Sequence, residues 1–325
     1  MDSISQAALG AAIGEAVLGK KTGNKGAVLG AIIATIPDLD VALYLFYDKF
    51  EMLSIHRGFS HSILFSILGA LLIAYILQRI KWTDQVGFKR LWFFAWLALF
   101  THILLDSFTA YGTQLYLPFS DKRVGFDIIN VVDPVYTVPL LVGLFLSLFL
   151  YRDRPSRALY NRIGLSVSTF YLLCTLGVKS HVNSYFRNEL SKQGVAYNSL
   201  LTIPVGVANI NWYGVAKTND TIYLQKYSIL EGSYFSFETF AINDHLLEVL
   251  NPKLVEKMRW FAKGFYTVEK DGDTIRFYNL QVDMRGIYKD GEINAPTVGY
   301  FEIIPKKDGS FEFSSGTHRN KTESK

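Results

Sequence analysis

The sequence predicts a multi-pass α-helical membrane bundle of about six helices, followed by a small, mainly antiparallel β (α+β) soluble domain. Three observations lead there. The 325 residues are 50% hydrophobic and 15% aromatic but only 19% charged. The apolar excess is gathered into six long runs within residues 1–180, whereas residues 181–317 have ordinary soluble composition. In that second part, short runs of Tyr, Phe, Val and Thr alternate with Asp-Gly and Asn-Asp turn signals, as antiparallel strands require. The polar end, 318–325, has the composition of a disordered tail.

Four apolar runs, 62–78, 91–106, 135–151 and 163–178, each supply most of the ~20 residues needed to cross ~30 Å of hydrocarbon. Two earlier runs are weaker. The run 5–19 is rich in Ala and Gly and contains Glu15; the run 26–47 is interrupted by Pro37-Asp38-Leu39-Asp40. Gly10 and Gly14, and again Gly26 and Gly30, are spaced four apart, as small residues are where membrane helices pack closely. These two runs are expected to be inner helices shielded by the other four, or alternatively a re-entrant hairpin. Asp133-Pro134 reads as the start of the fifth helix, where an aspartate suits the helix dipole.

After residue 181, strands are expected at 205–215, 221–229 and 274–282. Turns are expected at Thr218-Asn219-Asp220, Lys270-Asp271-Gly272-Asp273, Lys289-Asp290-Gly291 and Lys307-Asp308-Gly309. A helical stretch, 242–263, is divided at Asn251-Pro252. Asp283 and Arg285 are expected to form a structural ion pair.

The net charge of +4 is small, and the basic residues sit in short loops. That favours membrane orientation over a nucleic-acid footprint, so no nucleic-acid partner is expected. If all six runs cross, one side holds Lys20, Lys21, Lys25, Arg79, Lys81, Lys89, Arg90, Arg152, Arg154, Arg157 and Arg162. The other holds Lys49, Arg57, Lys122 and Arg123. The richer side should be cytoplasmic, which places the amino terminus and the C-terminal domain outside. Cys174 is the single cysteine, so no intrachain disulfide forms. No basic segment follows Met1, so no cleavable signal peptide is expected. No P-loop, GxSxG elbow or CxxC motif occurs.

Ionisable groups at membrane depth are costly and each calls for a partner or a function. Three clusters stand out: Asp38 and Asp40; His56-Arg57-Gly58-Phe59-Ser60-His61-Ser62; and His102 with Asp106, followed by Thr109, Tyr111 and Gly112. His102 and Asp106 are four apart and share a helix face. Antiparallel neighbouring helices bring the start of the third run and the end of the fourth to one side, where all three clusters meet. Imidazole and carboxylate donors without thiolate suit zinc most, with manganese or iron as alternatives. The expected ligands are Asp40, His56, His61, His102 and Asp106. Asp38 or Glu15 would act as general base, and Arg57 would grip an anionic substrate. One ion with outer carboxylates, or two ions, would use this set.

The ordered motifs Pro37-Asp38-x-Asp40, His56-Arg57-Gly58-x-Ser60-His61-Ser62, His102-x-x-x-Asp106-x-x-Thr109-x-x-Gly112 and Leu117-Pro118-Phe119-Ser120-Asp121 resemble the YdjM family over residues 1–150. That family is described as LexA-binding, inner-membrane-associated, metal-dependent hydrolases. The resemblance implies a bacterial inner-membrane protein with a divalent metal and a lipid or phosphoester substrate. The LexA-binding description favours a cytoplasmic site and conflicts with the charge-based orientation, so it is not carried over. Family members have a histidine near the amino terminus where this chain reads Ser5-Gln6-Ala7, so either Glu15 substitutes or a ligand is lost. The competing reading is a non-enzymatic membrane regulator whose polar cluster is structural or ion-sensing and whose C-terminal domain binds a protein partner.

Overall fold

The computed structural model describes residues 1–233, 236–281, 299–306 and 310–317. The chain divides into two compact units, Met1–Val178 and Lys179–Lys325. The first is helical and the second contains two small antiparallel sheets.

In the helical unit, α1 (Ser3–Thr22) starts at Asp2, whose carboxylate accepts from the Ser5 N–H at 2.9 Å. It lies between two apolar clusters. One joins its Ile13 and Leu18 to Ile33, Ala70, Ala98 and Leu99; the other joins Ala8 and Ala12 to Leu105, Tyr136 and Leu140. A helix enclosed on several sides needs small residues, which accounts for its Ala and Gly content.

The antiparallel partner α2 (Asn24–Thr35) touches α1 through the expected glycines. A Cβ on Gly30 would come within 1.9 Å of the Gly10 carbonyl oxygen, and one on Gly14 within 2.0 Å of the Gly26 carbonyl oxygen. After α2 the chain bends by 50° into a 3₁₀ segment, Pro37–Leu45. The helix α3 (Lys49–Ile55) and a short turn, Phe59–His61, then lead through a 56° bend into α4 (Ile63–Leu77). α5 (Phe88–Ser107) packs against α1, α2 and α4.

α6 (Pro134–Phe145) is capped by Asp133, whose carboxylate accepts from the Val135 N–H at 2.9 Å, and continues as a wider π-type turn, Leu146–Leu150. α7 (Arg157–Lys192) is 36 residues long.

Among the described residues, α5 and α7 are long and apolar enough to cross a membrane, and the two bent pairs would raise the number to four. The runs 5–19 and 135–151 do not meet that standard. Leu72 on α4, Phe145 on α6 and Phe170 on α7 are 53–67% exposed. Patches of this kind are rare on soluble monomers and suit a hydrocarbon solvent.

The second unit holds two antiparallel sheets. The first runs β1 (Ser199–Val205), β2 (Asn211–Lys217), β3 (Thr221–Ser228), β4 (Gly232–Ser233), with β5 (Glu238–Ala241) also on β3. The second runs β6 (Tyr266–Asp271), β7 (Thr274–Asn279), β8 (Gly299–Pro305), β9 (Phe311–Thr317). Between them lie a 3₁₀ turn, Asp244–Leu247, and α8 (Pro252–Phe261), so Asn251-Pro252 does divide the helical stretch. The expected strand 205–215 is instead a hairpin. Its turn holds Gly206, Ala208 and Asn209 at positive φ, which ends β1 and begins β2.

The Asp-Gly signal at Gly272 forms the tight β6–β7 turn, with Asp271 paired to Thr274 and Gly272 at φ +60°. In the first sheet, Trp212 is fully buried and the Phe186 ring occupies the space a Cβ on Gly214 would need. Asp283, Arg285, the turns at 289–291 and 307–309, and the tail 318–325 lie outside the described residues.

Candidate metal centre

The breaks between helices deliver the polar groups to one place. Asp38 sits at the start of the 3₁₀ segment, His61 at the end of the turn before α4, and His102 and Asp106 on the last turns of α5. One donor atom from each of these four lies within 4.8 Å of every other. His61 Nε2 is 3.3 Å from His102 Nε2 and 3.4 Å from both Asp38 Oδ1 and Asp106 Oδ2. His102 Nε2 is 3.5 Å from Asp38 Oδ1. A tetrahedron with zinc-like bonds of ~2.0–2.1 Å has edges of about 3.3–3.4 Å. His61, His102 and Asp106 are fully buried, and Asp38 alone reaches solvent, with its side chain 24% exposed.

The surrounding hydrogen bonds fix the imidazole tautomer. Ser60 Oγ donates to Asp40 Oδ2 at 3.0 Å, so His61 Nδ1–H donates to Ser60 Oγ, also at 3.0 Å. His61 Nε2 is thereby left with a lone pair toward His102, Asp38 and Asp106. Lone pairs and carboxylate oxygens converging at this spacing repel one another unless a cation lies between them. Two further buried polar atoms beside the cluster, Gln6 Oε1 and His102 Nδ1, have no hydrogen-bond partner among the described residues. The donor set therefore fits a divalent ion.

Asp40 and His56 stand one layer out. Asp40 accepts from His56 Nδ1 at 2.9 Å, from the Arg57 N–H at 2.9 Å and from Ser60, and its Oδ2 lies 3.5 Å from His61 Nδ1. Its oxygens are thus taken up by the loop that carries His61.

Arg57, which the sequence suggested for an anionic substrate, is buried and turned inward. Its Nε lies 3.0 Å from Asp106 Oδ2, Nη1 donates to Thr109 Oγ1 at 3.2 Å, and the guanidinium sits 5.2 Å from the Tyr111 ring. Its backbone is left-handed, with φ +58°.

Glu15 does not join the cluster. It lies on α1 nine residues beyond Gln6, about 14 Å along a helix. Its carboxylate is gripped by Arg157 through Nη2 at 2.5 Å and Nε at 2.7 Å. Gln6, by contrast, is part of the site. Its Nε2 donates to Asp106 Oδ1 at 2.9 Å and to the His102 carbonyl at 3.2 Å. The Met1 ammonium also contacts Asp106.

Arg123 was not anticipated. It is buried, donates to the Tyr111 carbonyl at 2.8 Å and faces the same ring as Arg57 at 5.2 Å, tying down the loop after α5. Its only signal in the sequence was a cation shortly after the third motif.

Comparison with known proteins places these motifs in context. The family described as "YdjM inner membrane protein" matches residues 1–182. The uncharacterized protein YfhP of Bacillus subtilis (strain 168) is 34% identical over 151 residues, which is 44% of this chain and 45% of that protein. The inner membrane protein YbcI of Escherichia coli (strain K12) is 38% identical over 96 residues, 29% of this chain and 54% of that protein. The chain thus spans about half the length of the curated relatives it matches. No solved structure matches.

Proposed function

The chain belongs to the YdjM inner membrane protein family, and from that premise we propose that its helical unit is a membrane-embedded hydrolase built around one divalent ion, most favourably zinc. The observation that carries the proposal is the convergence of two imidazole nitrogens, 3.3 Å apart, and two carboxylate oxygens that lie 3.4–3.5 Å from the nitrogens they face. With neutral imidazoles, Asp38, Asp40 and Asp106 outnumber Arg57 and the Met1 ammonium, so the cluster carries a net negative charge that favours a bound cation.

His61, His102 and Asp106 would hold the ion from the buried side. An ion bound there would lower the pKa of a water and polarise a phosphoryl or carbonyl oxygen. With Asp38 serving as base instead of fourth ligand, three protein donors would leave one position over, the catalytic rather than the structural zinc pattern. Asp38, the exposed member, would serve as general base, with Oδ1 placed to take a proton from a water. Asp40 and Ser60 orient His61, and Arg57 with Gln6 fixes the Asp106 carboxylate. The substrate class in keeping with this setting is a lipid or phosphoester. An orientation with residues after 180 outside belongs to the same proposal and rests on the distribution of Lys and Arg.

Asp38→Asn tests the assignment. The variant is expected to keep near-stoichiometric metal by elemental analysis and to lose hydrolysis of a chromogenic phosphodiester by ~100-fold or more, as removal of a general base does. Loss of metal together with activity would make Asp38 a fourth ligand. The closed, four-donor sphere would then favour the structural or ion-sensing reading, with the C-terminal unit as a partner-binding module.

A further inference from the structure

Away from the metal cluster, the helical unit holds a second polar cavity that the hydrolytic reading does not use. It has a volume of about 180 Å³ and lies between the last turns of α1, the segment leading into α7 and the first turns of α7. Its charged lining is Glu15, Lys20, Arg154, Arg157 and Arg162.

The lone carboxylate, Glu15, is already held by two hydrogen bonds from Arg157 and by a contact with Ser147 Oγ at 3.4 Å. Gly19 leaves room for it, since a Cβ there would meet the Glu15 carboxylate at 2.6 Å. Lys20, Arg154 and Arg162 are exposed, with no ion pair or side-chain hydrogen bond among the described residues. Asp153 is a further carboxylate that acts on Arg157. The cavity therefore presents several free cations around one neutralised acid.

Three properties decide what would enter. The volume is below the ~300–1,000 Å³ of sites that enclose a whole small molecule, so it suits a compact group. Cations from two separate stretches of chain converge, which favours an anion with several acceptor oxygens. On the orientation proposed above, all four cations fall on the side rich in Lys and Arg, where basic pockets between membrane helices take anionic headgroups.

We propose that this cavity binds a phosphate-type anion, supplied by the headgroup of an anionic phospholipid or by free phosphate, and that Lys20, Arg154 and Arg162 recognise it. Arg157, engaged by Glu15, anchors the floor. The site is independent of the metal cluster, and its failure would leave the hydrolytic proposal untouched.

The test uses the full chain purified in detergent and depleted of lipid, with the thermal unfolding midpoint as readout. Adding phosphatidylglycerol in mixed micelles is expected to raise Tm by ~3 °C or more, and phosphatidylcholine to leave it unchanged. The double variant R154Q/R162Q should lose that shift. K81Q/K89Q, which removes two cations from the same side but outside the cavity, should keep it.

A shift produced by inorganic phosphate alone and abolished in R154Q/R162Q would identify free phosphate as the source and still support the site. Equal loss in both double variants, or retention in R154Q/R162Q, would show only diffuse surface attraction and overturn the proposal. If R154Q/R162Q does not fold, Lys20→Gln alone should at least halve the shift; an unchanged shift in that variant would equally reject the site.

Discussion

Replacing His102 by alanine is expected to remove bound metal from the purified protein while leaving the bundle folded. His102 Nε2 is one of the donors facing His61 and Asp38, and its ring is fully buried. Substituting residues that only orient a ligand costs ~10–100-fold in metal affinity, so removing a donor outright should cost more than ~100-fold. Asp40→Asn should fall within that lower range, because Asp40 acts on His61 through Ser60 and its own 3.5 Å approach.

His56→Ala should have the smallest effect of the three, since His56 hydrogen-bonds Asp40 and meets His61 only through a ring-edge contact at 6.3 Å. Elemental analysis and a metal-competition titration read the gradient. An unchanged metal content in His102→Ala, or a collapse of helicity in every variant irrespective of metal, would leave the cluster a packing device.

The second large effect concerns α1 and α2. Gly30→Leu is expected to destabilise the helical unit by at least ~3 kcal/mol, the upper end of the usual range for overpacking. The new Cβ would meet the Gly10 carbonyl carbon and oxygen at 2.7 and 1.9 Å, and those are backbone atoms that cannot rotate away. The helices would have to separate, and α1 carries Gln6, which holds Asp106. Ile32→Leu, on the same helix but 56% exposed, is the matched control and should be nearly neutral. Detergent-resistance of the fold and its thermal midpoint distinguish the two variants. Equal behaviour would mean that close approach of these helices matters little.

Both results bear on what the sequence made readable. The glycine spacing signalled the α1–α2 contact because a backbone-to-backbone approach has no other solution than small residues. Likewise, the positions of His61, His102 and Asp106 at run boundaries were enough to bring them to one end of the bundle, since antiparallel neighbours exchange ends.

Other features were hidden for definite reasons. Asp38 and Asp40 look equivalent in sequence, but with about three residues per turn a two-residue step in a 3₁₀ segment turns side chains to different sides. One therefore faces the imidazoles and the other the loop behind them. Arg57 looked available to solvent, yet its left-handed backbone directs the guanidinium to Asp106. Gln6 read as the loss of a ligand, whereas its amide secures a carboxylate. The strand expected over 205–215 failed because nothing in Ala208-Asn209 announces two consecutive residues at positive φ.

The donors lie at interruptions of the helical ladder that are far apart along the chain, and this has a bearing on how the protein is made. When translation has passed α4, only Asp38 and His61 exist, and two donors cannot retain an ion against cellular chelators. His102 and Asp106 arrive at the far end of α5, so ion capture waits until that helix has inserted and docked. On the metal proposal, loading would therefore follow completed insertion, and a nascent chain stalled before residue 102 should carry no metal.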